Sequence, residues 1–114
     1  MNEPTTTDFV AVADAATVRA LGDRPGLALL YLHDPWCPIS ARAFRQLDDL
    51  GGGVAIVDVD ANPDLASAIE AMTGVRHASP QVILLRDGAP IWSASHFAIT
   101  ADAVRRALAH AQAD

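Results

Sequence analysis

Apolar residues follow two kinds of pattern along this chain. Continuous apolar runs at 27–33 and 54–59 are typical of strands that are buried on both faces of a sheet. Elsewhere, apolar residues recur at helical spacing with polar residues between them. The combined pattern predicts strands at 9–12, 27–33, 54–59, 81–85 and 90–94, and helices that begin after Asp14, Cys37, Asn62 and Thr100.

Glycine and turn residues separate these elements. The stretch 51–53, all glycine, is expected to end the second helix, Gly74 is expected to end the third, and 86–89 has the composition of a hairpin turn. The resulting order, β-α-β-α-β-α-β-β-α, is that of the thioredoxin fold, an α/β architecture with a central mixed sheet and helices on both faces. We therefore expect a flexible N-terminus at 1–8 and a single thioredoxin-like domain at 9–114.

Composition narrows the class of protein. With 114 residues and 51% hydrophobic content, the chain is long enough for one domain with a real core. The single cysteine excludes an internal disulfide framework and a cysteine-based zinc site, and such thiol poverty suits a reducing cytosol. A net charge of -6 argues against general nucleic-acid binding.

Residues 1–8 lack the features of a secretory signal, and the longest apolar run, 27–32, is too short to span a bilayer. These points predict a cytoplasmic protein with no nucleic-acid partner and no membrane attachment.

The one cysteine, Cys37, lies where a buried strand turns into a helix. With Cys37 at the N-cap, Pro38 takes the first helical position, and the amides of Ile39 and Ser40 are expected to point at the sulfur. The helix dipole adds partial positive charge at the same point, so both effects favour the thiolate, which is the attacking species. The Ser40 hydroxyl is expected to donate one more hydrogen bond to the sulfur.

The alternative for Cys37 is a buried structural cysteine. Its place at the carboxyl edge of the predicted sheet, where ligands bind in α/β folds, favours a reactive thiol instead. Ser40 stands where a Cys-x-x-Cys site would keep its second cysteine. A thiol in this setting cannot close an internal disulfide, so it must hold a mixed disulfide until an outside thiol resolves it.

Pro80 opens the fourth predicted strand, in the sequence Ser79-Pro80-Gln81. In the thioredoxin superfamily a cis-proline at this point lies against the active cysteine, and the residue before it can pair with an extended substrate as a short β-bridge. The predicted fold therefore favours a substrate contact at Ser79 and Pro80. An ordinary trans proline at the start of a strand is the alternative.

Further candidate binding residues surround the same edge. His33, His77 and His96 could each stabilise a thiolate or bind an anion near neutral pH, and each could equally be a structural or exposed histidine. Arg76 could bind a carboxylate or be solvated, and Trp36 could contact protein partners or shield the loop. No histidine is paired with another ligand at helical spacing, so no metal site is expected.

Three segments together resemble the monothiol bacilliredoxins, which are bacterial thioredoxin-fold proteins that use bacillithiol instead of glutathione. They are Cys37-Pro38-Ile39-Ser40, the stretch 75–81, and 92–96 with Ile99-Thr100. His33 also fits the family's His-x-x-x-Cys-Pro-Ile-Ser stretch. The resemblance covers nearly the whole chain from the first predicted helix onward.

The resemblance implies a reaction for Cys37. Its thiolate attacks the bacillithiol sulfur of a bacillithiolated client protein and carries bacillithiol until a second thiol, from bacillithiol or a disulfide reductase, restores it. The implied co-substrate is bacillithiol, with no tightly bound cofactor, and the implied partners are bacillithiolated client proteins. Because bacillithiol carries a malate, a locally positive cleft would help, and Arg76, His77 and His96 are the candidates for it.

The chain departs from the family pattern at Asp34-Pro35-Trp36 and at Phe97, which concerns partner specificity and not the fold. Tyr31 replaces the buried carboxylate that thioredoxins keep on this strand, as suits a site with no second thiol to deprotonate.

Two other functions fit the same residues. One is a non-catalytic adaptor that binds extended segments through 79–81. The other is a redox sensor in which Cys37 oxidises to a sulfenic acid and is capped by a small thiol.

Overall fold

The computed structural model describes residues 7–113. The order of elements matches the predicted order, with a short 3₁₀ turn added between the last strand and the last helix. The strands are β1 (Thr7–Ala11), β2 (Leu27–His33), β3 (Gly52–Asp58), β4 (Gln81–Arg86) and β5 (Ala89–Ser95). The helices are α1 (Ala15–Asp23), α2 (Pro38–Asp48), α3 (Pro63–Thr73) and α4 (Ala101–Ala113), and the 3₁₀ turn is His96–Ala98.

The strands form one mixed five-stranded sheet in the order β1-β3-β2-β4-β5. β3 runs parallel to both β1 and β2, whereas β4 is antiparallel to β2 and to β5. Parallel neighbours need crossover helices, and the β4–β5 pair needs only a tight turn. The predicted thioredoxin fold is therefore confirmed.

Two apolar cores lie on the two faces of this sheet. Side chains of a strand point alternately to opposite faces, so neighbouring residues of β2 enter different cores. Leu30 and Leu32 join the core that includes residues of α1 and α3. Leu29 and Tyr31 join the core that includes residues of α2 and α4. This explains why the β2 run is apolar at nearly every position.

The N-terminal boundary differs from the predicted one. Residues 1–6 of the predicted flexible segment lie outside the described residues, while Thr7 and Asp8 belong to β1 and pair with β3. Thr7 is buried, its hydroxyl donates to the Leu47 carbonyl, and its amide donates to Asp48 Oδ1 at 3.3 Å. Thr7 thus extends the strand because the end of α2 satisfies its hydrogen bonds.

The glycine stretch also acts differently from its predicted role. α2 ends at Asp48, and Gly52 and Gly53 are already the first residues of β3. Gly52 pairs with Thr7 in the parallel β1–β3 ladder, so sheet pairing decides where this strand begins.

The other predicted helix ends and turns are confirmed. Asp14 accepts a hydrogen bond from the Thr17 amide at 2.8 Å, and Thr100 Oγ1 accepts from the Ala103 amide at 3.1 Å, as N-cap residues do. Gly74 follows α3 with a left-handed backbone. Within residues 7–113, no helix has both the length and the hydrophobicity that a membrane span needs.

Candidate active site

The candidate site lies at the edge of the sheet where β2 and β3 end. His33, the last residue of β2, pairs with Asp58, the last residue of β3. β4 runs in the opposite direction, so Gln81, its first residue, lies beside Leu32 at this same edge. The sheet topology therefore brings the segment after β2, which contains the cysteine, to the loop that precedes β4.

Cys37 is the N-cap residue of α2, with Pro38 in the first turn, as the sequence predicted. Its backbone is extended, its carbonyl accepts from the Ala41 amide at 3.1 Å, and its amide donates to the Asp34 carbonyl at 3.1 Å. The residue is half-buried and its thiol is free. These features place a solvent-reachable sulfur at the positive end of a helix.

The expected hydrogen bonds to the Cys37 sulfur are absent from this structure. No side-chain capping bond forms, so the prediction that the Ile39 and Ser40 amides donate to the sulfur is wrong in this respect. A thiol sulfur is only a weak acceptor, and it does not compete as a Ser or Asp oxygen would for these amides. Of the two predicted features, the helix N-terminus is therefore the one that the structure keeps at this sulfur.

Ser40 has a different partner from the predicted one. It is fully buried, and its Oγ accepts a hydrogen bond from the Asp34 amide at 3.2 Å. The predicted bond from the Ser40 hydroxyl to the sulfur is wrong, because the structure has no such bond and Ser40 Oγ is turned towards the amide of Asp34, in the turn ahead of the helix. Ser40 thus fastens the cysteine loop to the first turn of α2.

A hydrogen-bonded pair of side chains underlies this turn. Tyr31 is fully buried, and its hydroxyl donates to the Ser40 carbonyl at 2.9 Å and also contacts His33 Nδ1 at 2.7 Å. Burial raises the pKa of Tyr31, the hydrogen bond to Ser40 opposes this rise, and the charge of Cys37 adds to it. The Tyr31 hydroxyl therefore keeps its proton, and it lies within electrostatic range of the cysteine.

His33 is half-buried and is held between two aromatic rings. Its imidazole lies 5.3 Å from the Tyr31 ring and 5.6 Å from the Phe44 ring, measured between centroids. Burial lowers the pKa of His33, and the nearby carboxylates of Asp58 and Asp34 partly oppose that effect. Among the three candidate histidines, His33 is the one that the structure connects to the cysteine turn.

The loop before β4 forms the opposite side of the site. The Ser79–Pro80 peptide bond is cis, and the Pro80 carbonyl accepts from the His96 amide at 3.0 Å. Gln81 is buried, and its side chain donates to the Arg76 carbonyl at 2.8 Å and accepts from the Ala78 amide at 3.4 Å. The sequence places Gln81 in a motif but does not reveal its role in organising the loop, because that role depends on contacts with Arg76 and Ala78.

The predicted anion-binding residues are exposed. The His77 amide donates to Glu70 Oε2 at 2.8 Å, and His77 Nε2 lies 3.5 Å from Ser79 Oγ. Arg76 and His96 are exposed as well, and His96 has a left-handed backbone with φ of 54°. The structure thus connects His77 with Ser79, and His96 with Pro80, through hydrogen bonds, and none of these four residues is hydrogen-bonded to Cys37.

Two exposed aromatic residues lie in the segments that flank the site. Trp36, next to the cysteine, is 78% exposed, and its Nε1 donates to Asp60 Oδ2 at 2.9 Å. Phe97, in the 3₁₀ turn, is 63% exposed, and the Arg42 guanidinium lies 5.5 Å from its ring centroid. Arg42 and Asp60 were not predicted, because neither belongs to a motif and only the packing of α2 and of the segment after β3 identifies their aromatic neighbours.

The residues that the structure describes form a cavity away from this edge but no cluster suited to a metal ion. Over residues 7–113, no group of three or more His, Cys, Asp or Glu side chains is arranged to hold a metal ion. An open, mostly apolar cavity of about 680 Å³ lies at the opposite end of the sheet, between residues such as Leu27, Gly52 and Leu108. It includes none of the predicted site residues.

Comparison with solved structures supports the thioredoxin fold. A candidate oxidoreductase with a thioredoxin fold has a TM-score of 0.79 at 24% identity, covering 88% of this chain and 93% of that chain. Thioredoxin from Trypanosoma brucei brucei has a TM-score of 0.72 at 19% identity, covering 94% and 93% respectively. A thioredoxin variant from Halobacterium salinarum NRC-1 has a TM-score of 0.69 at 21% identity, covering 96% and 94% respectively.

The family model for the monothiol bacilliredoxin BrxC matches residues 12–104, which include every residue of the candidate site. Fold and family together indicate thiol redox chemistry of the thiol-disulfide oxidoreductase class, with one cysteine to carry it out. This chain belongs to the monothiol bacilliredoxin family.

Proposed function

We propose that this protein removes bacillithiol from S-bacillithiolated client proteins in the cytoplasm, with Cys37 as the nucleophile. The observation that carries the proposal is the position of the only cysteine, half-buried at the N-terminus of α2, in a chain of the monothiol bacilliredoxin family. No tightly bound cofactor is required, because bacillithiol itself is the co-substrate.

The first step transfers bacillithiol to the enzyme. The Cys37 thiolate attacks the bacillithiol sulfur of the client–bacillithiol disulfide, a new sulfur–sulfur bond forms, and the client sulfur leaves as a thiolate that takes a proton from solvent. The number of disulfide bonds is unchanged, so no external oxidant or reductant enters this step. The client is reduced and Cys37 carries the mixed disulfide.

The second step needs a thiol from outside the chain. The thiolate of a second bacillithiol attacks the bacillithiol sulfur bound to Cys37, which yields bacillithiol disulfide and the free enzyme. A disulfide reductase is an alternative source of the resolving thiol. Ser40 supports this order of events, because it is buried and has no thiol with which to attack the adduct.

Recognition of the two halves of the substrate uses the exposed groups around the edge. Arg76, His77 and His96 are exposed on the Pro80 side and are suited to the malate carboxylates of bacillithiol. Trp36 presents a large apolar surface beside the sulfur and is suited to a protein client. In this arrangement the small thiol and the client occupy different parts of one face.

The test is intact-mass spectrometry after the purified protein is mixed with a bacillithiolated client. We expect one bacillithiol on Cys37 and release of reduced client, with a slower reaction for a glutathionylated client. The Cys37→Ser variant should bind the client but form no adduct. Absence of the adduct, or preference for the glutathionylated client, would contradict the proposal.

The same experiment separates the two other functions. An adaptor would bind the client equally well with and without the Cys37 thiol, and would not reduce it. A sensor would gain an adduct from oxidant and free bacillithiol, yet leave a bacillithiolated client unchanged.

A further inference from the structure

The two exposed aromatic residues at this edge of the sheet have neighbours of opposite charge. Trp36, directly before Cys37, is 78% exposed, and its Nε1 donates to the Asp60 carboxylate at 2.9 Å. Phe97 is 63% exposed, and the Arg42 guanidinium lies 5.5 Å from its ring centroid. Exposed aromatic side chains with a polar anchor are enriched at docking contacts. The charge beside each ring therefore determines which partner groups that ring can receive.

Three more carboxylates lie in the segments that form the Trp36 side of this edge. The Trp36 amide donates to Asp34 Oδ1 at 3.0 Å, and Asp58 Oδ1, at the end of β3, accepts from the Asp60 amide at 3.0 Å. Asp64 is exposed in the first turn of α3. Within residues 7–113, no arginine or histidine forms an ion pair with any of these four carboxylates. The described part of the chain thus leaves their negative charge without a paired cation.

The charges of the whole chain are divided in the same way. Residues 46–75, which include β3 and α3, contain no Lys, Arg or His, and they contain the acidic residues Asp48, Asp49, Asp58, Asp60, Asp64 and Glu70. The remaining eight acidic residues equal the eight arginines in number, so residues 46–75 account for the whole net charge of -6. The Pro80 side of the edge carries instead the basic side chains of Arg76, His77 and His96. The electrostatic potential is therefore more negative on the Trp36 side of the site than on the Pro80 side.

We propose that Trp36, Asp34 and Asp60 form a docking surface, called the Trp36 surface, for client segments with lysine or arginine beside the bacillithiolated cysteine. The inference rests on the proposed function, because it names the class of client that Cys37 serves. A cationic side chain is attracted by the face of the indole and by the carboxylates beside it. Bacillithiol carries a malate, so the same surface repels it towards the side of the edge that contains Arg76.

The carboxylates of the Trp36 surface act mainly on the rate and the selectivity of association. Charges on an open surface interact over about 10 Å at 0.1 M salt, and over a shorter distance as salt rises. Complementary charge of this kind raises the association rate of the matching partner and lowers that of a partner with like charge. A basic client should therefore react faster than an acidic one, and the difference should shrink at high salt.

The first test uses three bacillithiolated peptides that differ only in the two residues flanking the cysteine, which are Lys, Gln or Glu. Intact-mass time courses give the rate at which Cys37 takes up bacillithiol from each peptide at low and at high salt. We expect the Lys peptide to react about tenfold faster than the Glu peptide at low salt, with the Gln peptide between them, and this ratio should fall below about threefold at high salt. Equal rates for the three peptides, a faster Glu peptide, or a ratio that salt does not change would overturn the proposal.

The second test changes the Trp36 surface itself. Asp60→Asn keeps an oxygen that can accept from Trp36 Nε1 but removes one negative charge, so the ratio of the Lys rate to the Glu rate should fall about threefold at low salt. Trp36→Leu removes the aromatic face and should slow the Lys peptide about threefold. The control Asp23→Asn removes the same charge from an exposed position at the end of α1, near the opposite end of the sheet, and should leave the ratio unchanged. An equal fall in both Asp variants would show that only the overall charge matters, and would overturn the proposal.

A binding measurement separates failure of this inference from failure of the proposed function. If none of the peptides transfers bacillithiol, the proposed function is refuted, and the Trp36 surface is then tested without chemistry. The unmodified peptides are titrated into the Cys37→Ser protein while tryptophan fluorescence is followed. Tighter binding of the Lys peptide, weakened in the double variant that also carries Asp60→Asn, supports the docking surface, whereas equal binding of the Lys and Glu peptides overturns it.

Discussion

The role of Ser40 can be tested by deleting its hydroxyl. Ser40 is fully buried, and its Oγ is the acceptor for the Asp34 amide at 3.2 Å. The variant Ser40→Ala therefore leaves this amide without its acceptor. A buried donor without a partner costs about 1–3 kcal/mol, and because Asp34 is only half-buried the lower half of that range applies. Alanine regains up to about 0.5 kcal/mol through its higher helix propensity. The lost hydrogen bond outweighs this gain, so the free energy of unfolding should fall by about 1 kcal/mol.

Urea unfolding and thermal unfolding measure this change. For a chain of 114 residues, a loss of about 1 kcal/mol lowers the melting temperature by about 4 °C. The matched control is Ser93→Ala, which deletes an exposed hydroxyl from β5 and should change stability by less than about 0.5 kcal/mol.

Thiol chemistry should respond differently from stability. Because the Ser40 hydroxyl binds Asp34 and not the sulfur, the rate at which Ser40→Ala takes up bacillithiol on Cys37 should stay within about twofold of the wild type. A transfer rate reduced tenfold or more in a variant of unchanged stability would refute this reasoning. That result would restore the earlier expectation that Ser40 stabilises the thiolate.

Three further predictions concern a turn, a buried phenol and the missing second thiol. Gly88→Ala should lower the free energy of unfolding in urea by more than about 3 kcal/mol, because a Cβ there would lie 1.9 Å from a backbone oxygen of α1. The control Gly26→Ala has nothing within 4 Å of its Cβ, so it should cost only the penalty of about 1–2 kcal/mol for a left-handed backbone. Since the pKa of Tyr31 is raised in the folded state, its contribution to stability is complete below the unfolded value of about 10 and is lost as pH rises beyond it. Tyr31→Phe should remove that alkaline decline, and an equal decline in both proteins would contradict it. Ser40→Cys should shorten the lifetime of the bacillithiol adduct in intact-mass time courses, because residues three apart in a helical turn lie within disulfide reach; a persistent adduct would show that the buried site excludes the attack.

The elements of the fold are largely predictable from local sequence. β2 is apolar at nearly every position because both of its faces are buried, and Asp14, Thr100 and Gly74 mark helix ends through contacts with residues three or four positions away. Such signals need no knowledge of distant residues. The start of β1 was predicted less well, since Thr7 is held by the end of α2, 40 residues later in the chain.

In the candidate site, too, the features that depend on nearby residues were predictable and those that depend on distant residues were not. The sequence shows that Cys37 is the N-cap residue, that Pro38 follows it and that no second cysteine is present. Each of these features depends on neighbours within one helical turn. The partner of the Ser40 hydroxyl could not be read there, because a short side chain at a loop–helix junction has several acceptors and donors within reach.

What the sequence by itself determined is the order of strands and helices, the place of the single thiol at a strand-to-helix turn, and the need for an outside thiol to resolve any adduct. What only the tertiary structure decided is which polar groups meet: Tyr31 with His33 and Ser40, Trp36 with Asp60, and His96 with Pro80. The physical reason is that local patterns depend on backbone periodicity and capping, whereas these contacts depend on how backbone and side-chain groups from separate elements are placed at the sheet edge. That placement exists only after β2, β3, β4 and α2 have packed together.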